Sequence, residues 1–251
     1  MKTLKLTVLA LFLCTNSASL FAQTADEIIS NYIKNTGGQE KWQQLKGTKM
    51  SAKMDQGGIL LPLDIYVFAN GKSGTVINFQ GQTLYQNMFD GETLWSTNFQ
   101  NMQAEKSDKE TTENYKLQAN DFPDDFLNYK SKGYTAELLG KEKIEGTEVF
   151  KIKLTKEPET VDGKQVPSIS FYYFDTENFV PLQLEKEEKS GQMKGMVVIQ
   201  KMSDYKEIDG LYFPFSLVYE IKGQGSQAIK IDKVELNPIV SDSFFNLPAK
   251  K

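Results

Sequence analysis

Carboxylates are the residues of this chain most able to do acid–base chemistry, because it contains no histidine. They form two clusters, one around Pro123 and one near Leu182: Asp121, Asp124 and Asp125, and Glu185, Glu187 and Glu188. Paired carboxylates can hydrolyse a glycoside or bind calcium. The first cluster, however, has the composition of a helix N-terminus, where capping and the helix dipole favour aspartate. The second alternates with lysines, as a solvated strand end does. We therefore interpret both clusters as structural.

Nucleophilic, metal and nucleotide chemistry have little support in the sequence. No G-x-S-x-G motif occurs, and a Ser–His pair cannot form without histidine. The commonest zinc ligand is absent, and Cys14 is the only cysteine. The glycines at 223 and 225 lack the strand-to-helix setting of a phosphate-binding loop. The sequence thus predicts a binding protein that is not an enzyme, with no cofactor and no metal site.

The first 22 residues have the layout of a secretory signal peptide. Lys2 and Lys5 precede a short apolar run, and a polar stretch leads to Ala22, after which we predict cleavage. The rival is lipoprotein processing at Cys14, but the residue before it is Leu13, whereas a lipidation motif needs a small residue there. The expected mature protein is a single periplasmic domain covering residues 23–251, and a monomer.

The charge of the mature chain argues against nucleic-acid binding. All 29 basic residues are lysine, so bidentate recognition of phosphate or guanine by arginine is impossible. Without Lys2 and Lys5, 27 lysines face 33 acidic residues, a net charge of −6. An acidic chain without arginine is a poor partner for a polyanion.

Helix signals are confined to two places in the chain. Near the N-terminus, Thr24 and Glu27 predict a capping box, and Gly37 with Gly38 predicts the helix end; a second short helix is expected at residues 40–45. Between residues 103 and 132 the chain becomes polar and helix-prone. There we predict one helix at residues 110–119 and a second opened by Pro123, whose apolar side carries Phe122, Phe126, Leu127 and Tyr129.

Most of the remaining chain alternates with period two, which predicts about nine or ten half-buried strands. Turn dipeptides such as Glu145-Gly146 and Asp209-Gly210 predict tight hairpins, so the sheet should be antiparallel, with consecutive strands as neighbours. So many strands favour a strongly curled sheet. The helical insertion would then pack over its concave face.

Several segments, in the same order, resemble the periplasmic lipoprotein-sorting (LolA-like) family. The segments are Phe-Asp-Gly-Glu-Thr-Leu-Trp at 89–95, similar to the family's DG-x-x-x-W hairpin, and residues 138–154, 172–182, 205–214 and 237–248. The resemblance implies an unclosed, strongly curved antiparallel half-barrel, with an N-terminal helix and a helical lid over the concave face. It also implies a carrier or chaperone for the acyl chains of lipoproteins or other lipids, exchanging them with membrane-bound transfer proteins.

The alternative on the same fold is an envelope sensor that binds misplaced lipoprotein and a membrane-protein partner. The family's best-known members latch the lid with an arginine, and this chain has none. We predict that the ligand contacts three lid residues and one residue near the rim of the cavity: Phe122, Phe126, Leu127 and Trp95.

Overall fold

The computed structural model describes residues 23–189 and 193–249. The predicted signal peptide, with Cys14 and the cleavage site after Ala22, lies outside the described residues. Within them, no helix is both long enough and apolar enough to cross a membrane.

One antiparallel sheet contains the thirteen strands found in the described residues. The strands are β1 Gly47–Gln56, β2 Ile59–Phe68, β3 Ser73–Phe79, β4 Gln82–Phe89, β5 Leu94–Thr97, β6 Ala104–Lys106, β7 Thr135–Ile144, β8 Thr147–Val161, β9 Lys164–Asp175, β10 Pro181–Glu187, β11 Val197–Ile208, β12 Leu211–Ile221 and β13 Ser226–Leu236. The predicted nine or ten strands were too few. β5 and β6 are only four and three residues long, which is too short to show a period of two.

The sheet is an unclosed half-barrel, as predicted. Its order runs from β6 to β1, passes to β13, and returns through β12 to β7. Consecutive strands are therefore neighbours except β6 and β7, which form the two free edges, and the pairing of β1 with β13 joins the two runs of strands. The chain between β6 and β7 must cross from one edge of the sheet to the other, so it runs over the open side.

Tight hairpins set the register as the sequence predicts. In Glu145-Gly146 and Asp209-Gly210 both residues have positive φ, between 49° and 90°. Each pair is the complete loop of a two-residue hairpin, because the flanking strands begin and end beside it. Positive φ at both positions is what this type of turn requires.

The N-terminal helices follow the sequence signals. Helix α1 spans Ala25–Asn35, and its capping box is complete: the Glu27 amide donates to the Thr24 hydroxyl (3.2 Å) and the Thr24 amide donates to the Glu27 carboxylate (2.9 Å). Helix α2 spans Gln39–Gln44 and buries Trp42. Both helices pack on the inner face of the sheet.

The insertion contains one helix and one irregular segment. Helix α3 spans Lys109–Ala119 and is capped by Asp108. Residues 120–134, which we call the strap, form turns and a 3₁₀ turn at Tyr129–Lys132. The second helix predicted to open at Pro123 does not form. Asp124 still accepts from the Phe126 amide (2.8 Å), but all three supposed capping carboxylates of that helix bind tyrosine or lysine side chains, and these tertiary contacts override the local helix signal.

Two consecutive strap residues show how far the sheet curls. Phe126 packs with side chains of α1, β8 and β9, whereas Leu127 packs with side chains of α2, β1 and β12. β8 and β9 lie next to the β7 edge of the sheet, whereas β1 and β12 flank the central strand β13. The sheet must therefore bend around the strap for both contacts to form.

Candidate ligand-binding cavity

A cavity of about 380 Å³ lies between the strap and the inner face of the sheet. This volume lies within the usual range for small-molecule sites. We call it the strap cavity. Its apolar wall comes from α2 and five strands, β1, β2, β10, β11 and β12, and includes Trp42, Met50, Leu184, Met202 and Phe213. Phe122 of the strap also lines it, and its contact with a ligand stays a prediction.

Phe126 and Leu127 hold the strap in place and are absent from the lining of this cavity. Phe126 is 2% exposed, and its ring lies 4.7 Å from that of Tyr172 and 5.4 Å from that of Phe174, measured between centroids. Leu127 is also buried. Two of the three predicted lid residues are thus core side chains in this arrangement, and they reach only a groove on the far side of the strap.

Trp95 lies on the other face of the sheet, so its predicted position near the rim of this cavity is wrong. Its indole nitrogen donates to the Phe245 carbonyl (2.8 Å), and its side chain packs with Tyr66 and Met88. The register places Tyr66 opposite Lys49, whereas the inward Met50 pairs with Ile65. The C-terminal segment covers Trp95 there, a contact between residues 150 positions apart that no local pattern reveals.

One end of the strap cavity is polar. Five charged side chains gather there, three from the beginning of the strap, one from its end and one from β8: Asp121, Asp124, Asp125, Lys132 and Lys156. We call them the polar cluster. Lys156 donates to Asp121 at 2.6 Å and lies 3.5 Å from Asp125. Lys132 lies 3.9 Å from Asp121.

Three tyrosines complete the cluster by donating their hydroxyls to its carboxylates. Tyr32 of α1 donates to Asp124 (2.7 Å), Tyr134 donates to Asp121 (2.9 Å), and Tyr172 of β9 donates to Asp125. No buried side-chain nitrogen or oxygen of the described residues lacks a hydrogen-bond partner. The cluster therefore fastens the strap to α1, β8 and β9 by polar contacts.

Burial and crowding shift the protonation equilibria of the cluster. Burial, and then the charge of Asp125, raises the pKa of Asp124 to about 6, against the hydrogen bonds from Tyr32 and the Phe126 amide. Burial likewise raises the pKa of Asp121. Burial alone lowers the pKa of Lys156, but the carboxylates of Asp125 and Asp121 outweigh it, and that pKa is raised.

One feature of the sequence indicates this cluster. In β8 the inward positions Ile152 and Leu154 are followed, two residues later, by Lys156. A lysine on the buried side of an alternating strand requires a buried carboxylate partner. The sequence does not predict which carboxylate is the partner, because Asp121 lies 35 residues away along the chain.

Two further cavities differ from the strap cavity in chemistry. A groove of about 580 Å³ lies between α1 and the far side of the strap, and the charged Asp26, Lys34 and Lys130 are in its lining. A third cavity, of about 430 Å³, lies at the β1–β2 hairpin end of the inner face. Across residues 23–189 and 193–249, no group of three or more carboxylate, histidine or cysteine side chains is placed to hold a metal ion.

Comparison with known proteins assigns the family. The sequence model of a family of uncharacterized proteins matches residues 92–249, more than half of the chain. The chain belongs to this family. No curated protein matches the sequence.

Solved structures identify the fold and confirm the resemblance predicted from the sequence. A DUF1329 family protein from Desulfovibrio piger superposes with a TM-score of 0.53 at 13% identity, covering 90% of this chain and 98% of that one. A LolA superfamily protein from Nitrosomonas europaea gives 0.52 at 16% identity, covering 89% and 98%. A domain described as an outer membrane lipoprotein-sorting protein domain, from Vibrio parahaemolyticus, gives 0.51 at 12%, covering 88% and 95%. The fold of this chain is the LolA-like half-barrel.

Proposed function

We propose that this protein is a periplasmic carrier that shelters an acyl chain of a lipoprotein or lipid in the strap cavity, without catalysis. The observation that carries the proposal is a cavity of about 380 Å³ with a largely apolar wall, which lies between the strap and the inner face of an unclosed sheet. Removing a methylene group from water is worth about 0.8 kcal/mol, so an acyl chain needs such shelter in an aqueous compartment.

The polar end of the cavity suits an amphiphile better than a plain hydrocarbon. The apolar wall of Met50, Leu184 and Met202 would hold the chain, while the ligand's polar part would lie toward Asp124 and Gln118. The carboxylates of the polar cluster are already engaged by lysine and tyrosine, which supports a structural role for them over acid–base catalysis.

Release requires part of the cover to move, and α3 has the weaker attachment. It buries only two side chains, Thr112 and Asn114. The Asn114 side chain exchanges two hydrogen bonds with the Thr160 backbone (2.7 and 2.9 Å), and Glu110 accepts from the amides of Asp162 and Gly163 (2.9 and 3.0 Å). In the best-known LolA-like proteins an arginine latches the lid, and these contacts can hold α3 closed in its place.

The proposal predicts saturable binding of a fluorescent fatty-acid probe that depends on Phe122. Phe122→Asp places a charge in the chain's path and should weaken probe binding at least tenfold. Phe122→Trp, which fills the cavity without charge, should weaken it as well. The matched control is Leu139→Asp on edge strand β7, because Leu139 is 46% exposed and lines none of the three cavities described above.

Two outcomes would overturn the proposal. One is the absence of saturable binding by the folded wild-type protein. The other is equal binding by wild type and both Phe122 variants, with near-native circular dichroism in all three. Native mass spectrometry of protein purified from its own periplasm would identify the natural ligand by the mass that accompanies the chain.

A further inference from the structure

The cavity at the β1–β2 hairpin end, which we call the hairpin cavity, contains no ionisable side chain in its lining. Seven apolar side chains and three glutamines form its wall, and the apolar ones include Met54, Leu61, Ile77 and Leu84. They point to the inner face, because Met54 pairs with Leu61 and Ile77 pairs with Leu84 in the register. Its volume of about 430 Å³ is in the range of ligand-binding sites.

The lysines nearest in sequence to this wall face away from it. Lys53 of β1 pairs with Lys230 of β13, whereas Met54 pairs with Ile229 on the inner face. Alternation therefore places both lysines on the outer face. A carboxylate drawn into the hairpin cavity would lose water without gaining a cation, which is strongly unfavourable. An ammonium group would equally lack an anion among the lining residues.

The glutamines provide the polar groups that a neutral ligand needs. Gln227 donates its side-chain N–H to the side-chain oxygen Oε1 of Gln56 (2.7 Å). That contact uses one donor of Gln227 and one acceptor site of Gln56, while a carboxamide has two donors and two lone pairs. An ester carbonyl or a hydroxyl can bond to the remaining donors and acceptors without carrying charge.

The mouth of the hairpin cavity has exposed apolar side chains. Ile59 and Phe99 belong to its lining and are 58% and 55% exposed. Exposed apolar surface that continues into an apolar cavity is characteristic of a ligand entrance. The strap cavity differs, since three aspartates belong to its lining.

We propose that the hairpin cavity is a second acyl-chain site, separate from the strap cavity, which takes uncharged acyl esters in preference to free fatty-acid anions. The claim adds a ligand class and a location to the carrier function, and it does not depend on the strap cavity being occupied. A carrier with two such sites could shelter two chains of one lipid, or one chain of each of two ligands.

Methionine methyl groups report on the two cavities separately. Met54 lines the hairpin cavity, whereas Met50 and Met202 line the strap cavity. With ¹³C-methyl-labelled methionine, titration of the wild-type protein with monolauroylglycerol below its aggregation concentration should shift the Met54 resonance saturably. Laurate at pH 8 should need at least a tenfold higher concentration for the same shift.

Two variants at the mouth of the hairpin cavity distinguish the effect of side-chain charge from that of side-chain shape. Ile59 is mostly exposed, so the fold should tolerate both Ile59→Asp and Ile59→Asn. The aspartate places a negative charge at the entrance, which repels the laurate anion and should weaken laurate binding further. Monolauroylglycerol is uncharged, so its affinities for the two variants should agree within about threefold. Ile239→Asp, at a fully exposed residue of the C-terminal segment, is the control and should leave the Met54 titration unchanged.

The outcomes distinguish this inference from the proposed function. If monolauroylglycerol shifts Met50 or Met202 but not Met54, the second site is refuted and the strap cavity alone binds. If Met54 shifts equally with laurate and with the ester, the claimed ligand class is wrong. If Met54 alone responds to the ester, the inference holds while the strap cavity fails as the carrier site.

Discussion

The strap and α3 are consecutive in the chain and cover the same open side of the sheet, yet they are held in different ways. The strap buries Phe126 and Leu127 in two core clusters and joins the polar cluster. Helix α3 is attached through hydrogen bonds of Asn114 and Glu110 and through Tyr115, whose hydroxyl contacts that of Ser73 (3.0 Å) and whose ring lies 5.3 Å from that of Phe89. We therefore expect the strap to act as a fixed wall of the proposed binding site and α3 to be the part that opens.

The largest expected effect is at Phe126. Phe126→Ala should lower the free energy of unfolding by about 3–5 kcal/mol, because a buried ring with several aromatic neighbours is lost. Phe126→Asp should leave the chain largely unfolded. Urea denaturation measures the first effect and circular dichroism the second. A loss under about 1 kcal/mol for Phe126→Ala would show that the strap is not anchored in the core, and the contrast with α3 would fail.

The next largest effect concerns Lys156. Lys156→Met leaves Asp121 and Asp125 without their shared cation and should destabilise the protein by about 3–5 kcal/mol. The matched control is Lys194→Met, which removes a salt bridge of the same 2.6 Å length to Asp162 at an exposed site. That control should lose at most about 1 kcal/mol. Equal losses in the two variants would mean that the polar cluster gives the strap no special support.

A smaller effect should appear in the pH dependence of stability, through Asp124. Its pKa in the folded protein is about 6, against an ordinary value of 3.8. The folded state therefore holds this proton more tightly than the unfolded state, so its stabilising contribution is present at the acid end and is lost as pH rises between these values. Asp124→Asn removes that dependence. Relative to the variant, the wild type should lose up to about 3 kcal/mol between pH 4 and pH 7.

Urea denaturation of both proteins across that range tests the prediction at Asp124, because other titrating groups cancel in the difference. A difference in unfolding free energy that stays constant from pH 4 to pH 7 would contradict the raised pKa of Asp124. It would also contradict the burial of the polar end of the strap cavity.

The smallest global effect should be at α3. Asn114→Ala removes two hydrogen bonds to the Thr160 backbone and should cost about 1–2 kcal/mol. Amide hydrogen exchange should nevertheless accelerate throughout α3 while strap amides remain protected, and probe association should become faster. Glu113→Gln, an exposed change on the same helix, should alter neither. If strap and α3 amides accelerate together, the two segments open as one unit.

The fold class could be predicted from sequence because its signals are local. A capping box, period-two alternation and two-residue turns each involve residues within a few positions, and their geometry follows from backbone sterics and hydrogen bonding. These features yielded α1, the antiparallel hairpins and the curled sheet. Of the predicted site, Phe122 lines the strap cavity, while Phe126 and Leu127 hold the strap in place.

Tertiary structure alone decided which polar and aromatic groups meet. Three aspartates beside Pro123 resemble a helix start until Tyr32, Tyr172 and Lys156, from distant segments, supply better partners for them. The sequence around Trp95 likewise gives no sign that the C-terminal segment covers this side chain. The sequence by itself thus determined the elements and the inward face of each strand. The pairing of β1 with β13 and the bend around the strap decided which side chains share a cavity, because contact across such separations depends on how the whole sheet closes.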